Sequence, residues 1–335
     1  MIRSKILSTG RYLPKWRVIN DDLAQMMDTS NEWIVQRTGI EARHWVKGED
    51  DIGTSDLAYE AAKIALERAT WTPEDLDMIV LATMSPDVNV PGSGVLMQEL
   101  LGASNVPALD IRQQCTGFIF GLDLCDAYIR SGKAKKILIV GAEYQSRYLE
   151  LSTEYRDTAI IFSDGAGACC IEAFESTHEV GCITSVLKSD GKYAGVLRAG
   201  MPARKSGKAM DPAVIANKEY YPFMDGKTVY KLAVTRLPKV TEELLKKANM
   251  TMEDIDMFLP HQANLRINEA YRDRMKIPKE KMFNNIHKYG NTSAASLPIA
   301  LDEIIEQKLV KKGDNIMFFG LGAGLNWGGL IYTVV

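Results

Sequence analysis

The strongest constraint in this chain is that it repeats itself at a fixed spacing. Residues 66–78 read LERATWTPEDLDM and residues 245–257 read LKKANMTMEDIDM, an offset of 179 with seven of thirteen positions identical. The same offset pairs Leu122-Asp123 with Leu301-Asp302, and Gly141 with Gly320, so the register holds without a gap over some 75 residues. Two helix ends that matched by chance would not keep step that far. A duplication on this scale predicts two similar layered units related by a pseudo-twofold axis. We place the halves at 1–172 and 173–335.

Within each half the elements alternate. Residues 54–69 and 228–248 carry apolar side chains at helical spacing. Met78–Ala82 and Met257–Leu259 are short apolar runs that follow Glu-Asp-Leu/Ile-Asp and read as buried strands; Ile137–Val140 and Ile316–Phe319, each ending at a glycine, read likewise. Such alternation predicts an α/β fold with a largely parallel, buried sheet and helices on both faces. The stretch 188–225, with several Gly, Pro and Lys, reads as a surface excursion between the halves. At 335 residues and 46% hydrophobic, the chain can bury a core of about two domain-sized units. A formal net charge of -3 gives no basic excess for nucleic acid and no acidic tail. No run of apolar residues is long enough to predict a membrane span, and Met1–Arg11 lacks the apolar core of a secretory signal. Five scattered cysteines without metal-ligand spacing predict free thiols in a reducing cytoplasm and no zinc site.

Three junctions carry candidate chemistry. In Asp110-Ile-Arg-Gln-Gln-Cys115-Thr-Gly-Phe an extended run meets a helical pattern, so Cys115 sits where free N–H groups and the positive end of a helix dipole favour a thiolate. Gly117 leaves room for close approach. A buried structural cysteine is the equal alternative, and it is the better reading for Cys125. In Phe258-Leu-Pro-His261-Gln-Ala-Asn-Leu-Arg-Ile, the imidazole follows a buried strand, the end at which open α/β sheets place ligand chemistry. A hydrogen-bonded structural histidine is the alternative there. His44, His178 and His287 lie in charged or polar stretches with less to suggest a role. In Gly290-Asn291-Thr-Ser-Ala-Ala-Ser296, Asn291, Thr292 and Ser293 are helix-capping types, and capping accounts for part of Ser293. The repeat, however, carries position 115 to Ala294, so two helix starts face one another across the pseudo-twofold. The C-terminal Gly320-Leu-Gly-Ala-Gly-Leu-Asn loop has no helix after it, which weakens a dinucleotide reading and leaves it as a source of backbone amides.

Together these motifs give the chain a resemblance to the β-ketoacyl-acyl-carrier-protein synthase III family of thiolase-fold condensing enzymes. It extends over nearly the whole length. Asp28–Ile40, the segment around Cys115, Ile160–Gly167, His261–Ile267 and Gly290–Ser296 carry it. The resemblance implies a thiolase-like fold, two duplicated α/β halves in a layered α-β-α-β-α arrangement. It implies a triad of Cys115, His261 and Asn291, with the backbone N–H groups of Cys115 and Ala323 as an oxyanion hole. It implies a coenzyme A path in which Trp33 and Arg156 flank the adenine and Thr29, Arg37, Gly226, Tyr230 and Asn264 line the way. Lys231, Arg266, Arg272 and Arg274 would form a patch for an acidic acyl carrier protein. A homodimer is implied, the partner completing part of the acyl pocket. Acyl-CoA enters as a substrate; the reaction needs no metal or redox cofactor.

The implied activity loads an acyl starter on Cys115 and condenses it with a malonyl thioester, releasing carbon dioxide. Several positions depart from the family's pattern. Gln113 and Gln114 stand where small residues are usual, Tyr230 where phenylalanine is common, and Ala323 where glycine is. Val90 and Leu321 replace aromatics near the acyl pocket, which suggests a longer or branched starter. An acyltransferase without decarboxylation, or a secondary-metabolite ketosynthase, is the main alternative. A degradative thiolase would need a second catalytic cysteine near the C-terminal loop, and the last cysteine is Cys182. A catalytically dead partner or carrier-binding module is disfavoured by the intact triad.

Overall fold

The computed structural model describes residues 1–48, 51–199, 212–217 and 220–335, so the middle of the expected excursion at 188–225 lies outside the described residues. Two sheets form the frame. The first runs Ile2–Tyr12, Gly165–Glu175, Lys136–Glu143, Met78–Ala82, Ala108–Ile111. The second runs Gly181–Ser189, Asn326–Thr333, Asn315–Gly322, Met257–Pro260. The two orders are the same, strand for strand. Where a fifth strand would complete the second sheet, a single parallel bridge joins Phe258 to Met282.

The offset of 179 governs the backbone in detail. It carries Ile2 to Gly181, Lys136–Glu143 to Asn315–Gly322, and the helix start at Gly117 to the helix start at Ser296. It carries even the unusual conformations. Thr70 and Asn249 end their helices in the left-handed region (φ 58° and 53°), and Gln114 and Ser293 sit there immediately before the paired central helices (φ 46° and 47°).

Five layers follow from strand periodicity. Val80, Ile137 and Ile139 of the first sheet and Leu259, Ile316 and Phe318 of the second turn inward onto the helices Gly117–Arg130 and Ser296–Glu306. Their alternate neighbours turn outward. Ile79, Leu81, Leu138 and Val140 pack on the helix Thr54–Ala69. Phe258, Met317 and Phe319 pack on Gly226–Ala248. The Ser296–Glu306 helix is buried on every side from Ser296 to Ile304, so its few polar side chains must find partners inside the fold. Burial of each large apolar side chain here stabilises the fold by about 1.5–3 kcal/mol. Asp302, on the same helix, is fully buried and tied to the first strand. It accepts from Thr9 Oγ1 at 2.6 Å and pairs with Arg11 and Arg68.

The sheets are mixed rather than largely parallel. Apart from isolated bridges, parallel pairing among the described strands is confined to Met78–Ala82 with its two neighbours and to Met257–Pro260 with Asn315–Gly322. The other pairings are antiparallel. The turn between Gly322 and Asn326 is too short for a crossover, and antiparallel pairing is what a tight turn allows. The strand Gly165–Glu175 also crosses the boundary expected at 172/173; the chain changes sheets between Glu175 and Gly181. Among the described residues no helix is long and apolar enough to cross a membrane.

Candidate active site

The site lies where the two central helices begin. Cys115 stands in the short turn Gln114–Thr116 after the strand Ala108–Ile111, directly before the helix Gly117–Arg130. The C-terminal loop closes over it. A Cβ at Gly322 would fall 3.1 Å from Cys115 N and Cβ, a tight approach that brings the loop's backbone against the cysteine. On the opposite side, a Cβ at Gly141 would fall 2.3 Å from Ala294 O, which seats the turn before the second central helix on the first half's strand. Cys115, His261 and Asn291 all line one cavity of about 410 Å³. Distant stretches of chain therefore bring a thiol, an imidazole and a carboxamide to one space.

Hydrogen bonds fix how the last two present themselves. Asn291 is anchored through its backbone, donating to Ile161 O at 2.9 Å and accepting from Ser163 N and Gln145 Nε2 at 3.0 Å each. Its Oδ1 accepts from Ser293 N at 2.8 Å. An N–H can only donate, so the oxygen is identified, and Nδ2 is the free end of the carboxamide. The expectation that Ser293 caps through its own side chain is corrected: no side-chain cap forms at either turn start, and Asn291 supplies the acceptor instead. His261 donates its backbone N–H to Phe319 O at 2.8 Å, and its Nδ1 lies 2.6 Å from Ser296 Oγ. The Ser296 oxygen also faces Gln262 N at 3.5 Å. Among the described residues no other acceptor takes the serine proton. It therefore goes to Nδ1, which leaves Nε2 protonated. Nε2 is buried without a partner, a donor with nothing yet to donate to.

Electrostatics correct the expected thiolate. Burial pushes the Cys115 thiol up to about 11, and the nearby Glu143 carboxyl acts in the same direction. The Ser293 hydroxyl and the N–H groups of Ala323 and Cys115 pull the other way but do not prevail. The helix start favours the anion, yet loss of water costs it more. Burial also pushes His261 down to about 3. At neutral pH the resting pair is thiol and neutral imidazole. Alkylation of Cys115 by iodoacetamide, followed by peptide mass mapping, is expected to accelerate about tenfold per pH unit between pH 7 and 10, as a thiol titrating above that range requires. A rate already flat above pH 7 would contradict this.

Glu143 and Ser296 escaped the sequence reading. Glu143 ends the strand Lys136–Glu143, is fully buried, and accepts from Ser85 Oγ at 2.6 Å, Thr83 Oγ1 at 3.2 Å and Ala294 N at 3.3 Å. Burial raises its carboxyl above the usual range. The Ser293 hydroxyl faces both this carboxyl and the Cys115 thiol, without a hydrogen bond of normal geometry at rest. An apolar strand pattern gives no hint of such a carboxyl. Ser296 had a signal, since the repeat places it at a helix start beside the site.

Trp33, Arg37, Gly226, Tyr230, Asn264 and Arg266 line the outer part of the same cavity. Asn264 caps the helix Leu265–Met275, accepting from Arg266 N at 2.9 Å, and donates to Arg37 O at 3.0 Å. Arg156 and Arg37 both stack on Trp33, at 4.7 Å and 4.2 Å from the ring centroid. Trp33 and Arg156 thus lie against each other, and a base between them would have to part them. Thr29 does not line the cavity; its hydroxyl is buried without a partner. Leu321 lines the inner cavity, whereas Val90 is 86% exposed and is not among the described residues that line either cavity at Cys115. Of the expected basic patch, Lys231, Arg266 and Arg274 are exposed, while Arg272 is paired with Asp273 at 2.7 Å.

Residues 109–191 match the family model of 3-oxoacyl-(acyl-carrier-protein) synthase III, and residues 245–334 match the model of its C-terminal part. The β-ketoacyl-(acyl-carrier-protein) synthase III of Caldanaerobacter subterraneus subsp. tengcongensis is 44% identical over 326 residues, 97% of this chain and 96% of that protein. The crystal structure of the 3-oxoacyl-(acyl-carrier-protein) synthase III of Aquifex aeolicus superposes with a TM-score of 0.88 at 40% identity, covering 98% and 99% of the two chains. The priming β-ketosynthase of the R1128 polyketide pathway superposes with a TM-score of 0.89 at 31% identity, covering 99% and 96%. With full-length likeness in sequence, the same layered fold and the motif residues gathered in one cavity, this chain belongs to the 3-oxoacyl-(acyl-carrier-protein) synthase III family.

Proposed function

We propose that this chain is a condensing enzyme that starts acyl chains by way of a thioester on Cys115. The observation that carries the reading is the common cavity of Cys115, His261 and Asn291 with two oriented N–H donors. Cys115 sulfur attacks an acyl thioester carbonyl; the carbon–sulfur bond to the carrier breaks, and the carrier leaves as a thiol with the cysteine proton. The N–H groups of Cys115 and Ala323 hold the tetrahedral oxyanion. In the second half-reaction a malonyl thioester loses carbon dioxide. Its carbonyl oxygen gains charge and accepts from His261 Nε2 and Asn291 Nδ2. The resulting carbanion attacks the acyl-cysteine, and the sulfur leaves and regains a proton. His261, held neutral, serves as a donor rather than as the base for the thiol.

Acyl-CoA as starter, malonyl on an acyl carrier protein as extender, and a role in fatty acid biosynthesis fit the outer cavity. It offers an aromatic ring at Trp33 and cations at Arg37 and Arg266. We place the enzyme in the cytoplasm as a homodimer. The free edge strand Ala108–Ile111, with exposed Leu109, Val88 and Val90 beside it, is an apolar face suited to a second copy. The likeness to a polyketide priming ketosynthase keeps a secondary-metabolite role as the second reading. Release of labelled carbon dioxide from malonyl-carrier protein, dependent on an acyl-CoA, tests the condensation. Acyl transfer to the protein without that release would replace it with plain acyl transfer.

The tautomer assigned to His261 has its own test. Ser296→Ala is expected to slow decarboxylation about tenfold, as partial loss of one donor, while acylation of Cys115 stays within about twofold. Ser296→Thr keeps the hydroxyl and should restore most of the rate. Equal losses in both half-reactions would mean that Ser296 merely supports the fold.

A further inference from the structure

A second cavity, of about 280 Å³, also reaches Cys115. Apolar groups such as Met84, Leu149 and Phe162 form much of its wall. Its charged lining residues among the described residues, however, are Arg112 and Arg198, with no aspartate or glutamate. Neither arginine forms an ion pair among the described residues. Asp110 is close enough to feel Arg112, but its Oδ1 is taken by Gly94 N at 2.8 Å. Arg198 lies 5.3 Å from the Phe223 ring centroid.

Gln114, beside the nucleophile, adds a directed donor. Its Oε1 accepts from Asn326 Nδ2 at 3.1 Å. Asn326 is itself fixed, with Oδ1 accepting from Ser189 Oγ at 2.5 Å and Nδ2 also donating to Ala323 O at 2.9 Å. The chain of bonds Ser189–Asn326–Gln114 leaves the Gln114 NH₂ as the free end. The glutamine holds a left-handed backbone (φ 46°) that is unfavourable for a non-glycine residue. The network fixes the carboxamide of a residue that lines the same cavity as the sulfur.

We infer that the second cavity selects a starter whose acyl chain carries a carboxylate, that is, the monothioester of a short dicarboxylic acid. The inference rests on the reading of Cys115 as the acyl carrier. A carboxylate has lone pairs for both a guanidinium and the glutamine NH₂. Both arginines are exposed and can keep water beside an alkyl chain, so the cost of a plain alkyl starter falls on the half-buried Gln114 NH₂, which it would strip of water and leave unpaired.

The experiment incubates the full chain with glutaryl-CoA or pentanoyl-CoA, which have equal carbon number in the acyl group, and follows the Cys115 adduct by intact mass. Glutaryl transfer is expected to be at least about tenfold faster, because a site built to pair a polar group rejects the analogue that lacks it. Arg112→Gln should lower the glutaryl rate about tenfold and leave pentanoyl transfer within about twofold, since only the charged partner is lost. Gln114→Leu should accelerate pentanoyl transfer. Equal or faster pentanoyl transfer by the unaltered protein, or a rate ratio unmoved by Arg112→Gln, overturns the inference and leaves Cys115 as the nucleophile. An adduct with neither thioester, nor with acetyl-CoA, overturns the acyl-cysteine reading and this inference with it.

Discussion

Cys115→Ala is expected to abolish acyl transfer to the protein and to lower condensation by at least about 10⁴-fold, the scale seen when a nucleophile is removed from a preorganised site. Radiolabelled acyl-CoA followed by denaturing electrophoresis reads the first effect, and product formation the second. The four other cysteines offer no substitute. Cys125, Cys169, Cys170 and Cys182 are all buried and free, and burial raises each thiol. None lines either of the cavities that meet at Cys115. The same variant should still decarboxylate a malonyl thioester, because the two donors that stabilise the enolate, His261 Nε2 and Asn291 Nδ2, are held by Ser296 and Ser293 and not by sulfur. Persistent labelling of the alanine variant would remove Cys115 from the mechanism. Loss of folding, read by its unfolding midpoint, is not expected, since the substitution removes one sulfur at the end of an open cavity.

The duplication made much of this architecture legible. An offset read from thirteen residues at the end of one helix proved to set strand order, helix starts and even the left-handed residues Gln114 and Ser293. It pairs Cys115 with Ala294, in the turns that precede the two central helices. What it could not show was strand direction: apolar runs such as Ile331-Tyr332 look alike whichever way they pair, and the three-residue turn before Asn326 decides it. Nor could it show the ionisation of the site. A cysteine at a helix start reads as a thiolate, because sequence displays the dipole and hides the water that burial removes. The opposing pushes on Cys115 and His261, up to about 11 and down to about 3, arise from side chains scattered over the whole chain. Glu143 was silent for the same reason. Its partners, Ser85, Thr83 and Ala294, come from segments that only the folded chain assembles.

Asn291→Asp separates the two half-reactions most sharply. The substitution is nearly isosteric, so the cavity and the backbone bonds to Ile161 and Ser163 should persist. One carboxylate oxygen would keep the bond from Ser293 N that Oδ1 now makes. The other would then occupy the place of Nδ2 and present a charged acceptor to an oxygen that becomes negative as carbon dioxide departs. Losing one donor of this kind costs roughly 2.7–4 kcal/mol, or about 10²–10³ in rate. Replacing it by a like charge costs more, so decarboxylation is expected to fall by at least about 10³-fold, while acylation of Cys115 by acyl-CoA changes little. Asn291→Ala, which deletes the donor without adding charge, should lie between the two. Carbon dioxide release from a labelled malonyl thioester and intact-mass acylation measure the halves independently. If the aspartate variant lost acylation as severely as decarboxylation, Asn291 would be serving the cysteine and the division of labour between sulfur and donors would be wrong. If it lost neither, the enolate oxygen would have to lie elsewhere than beside Nδ2.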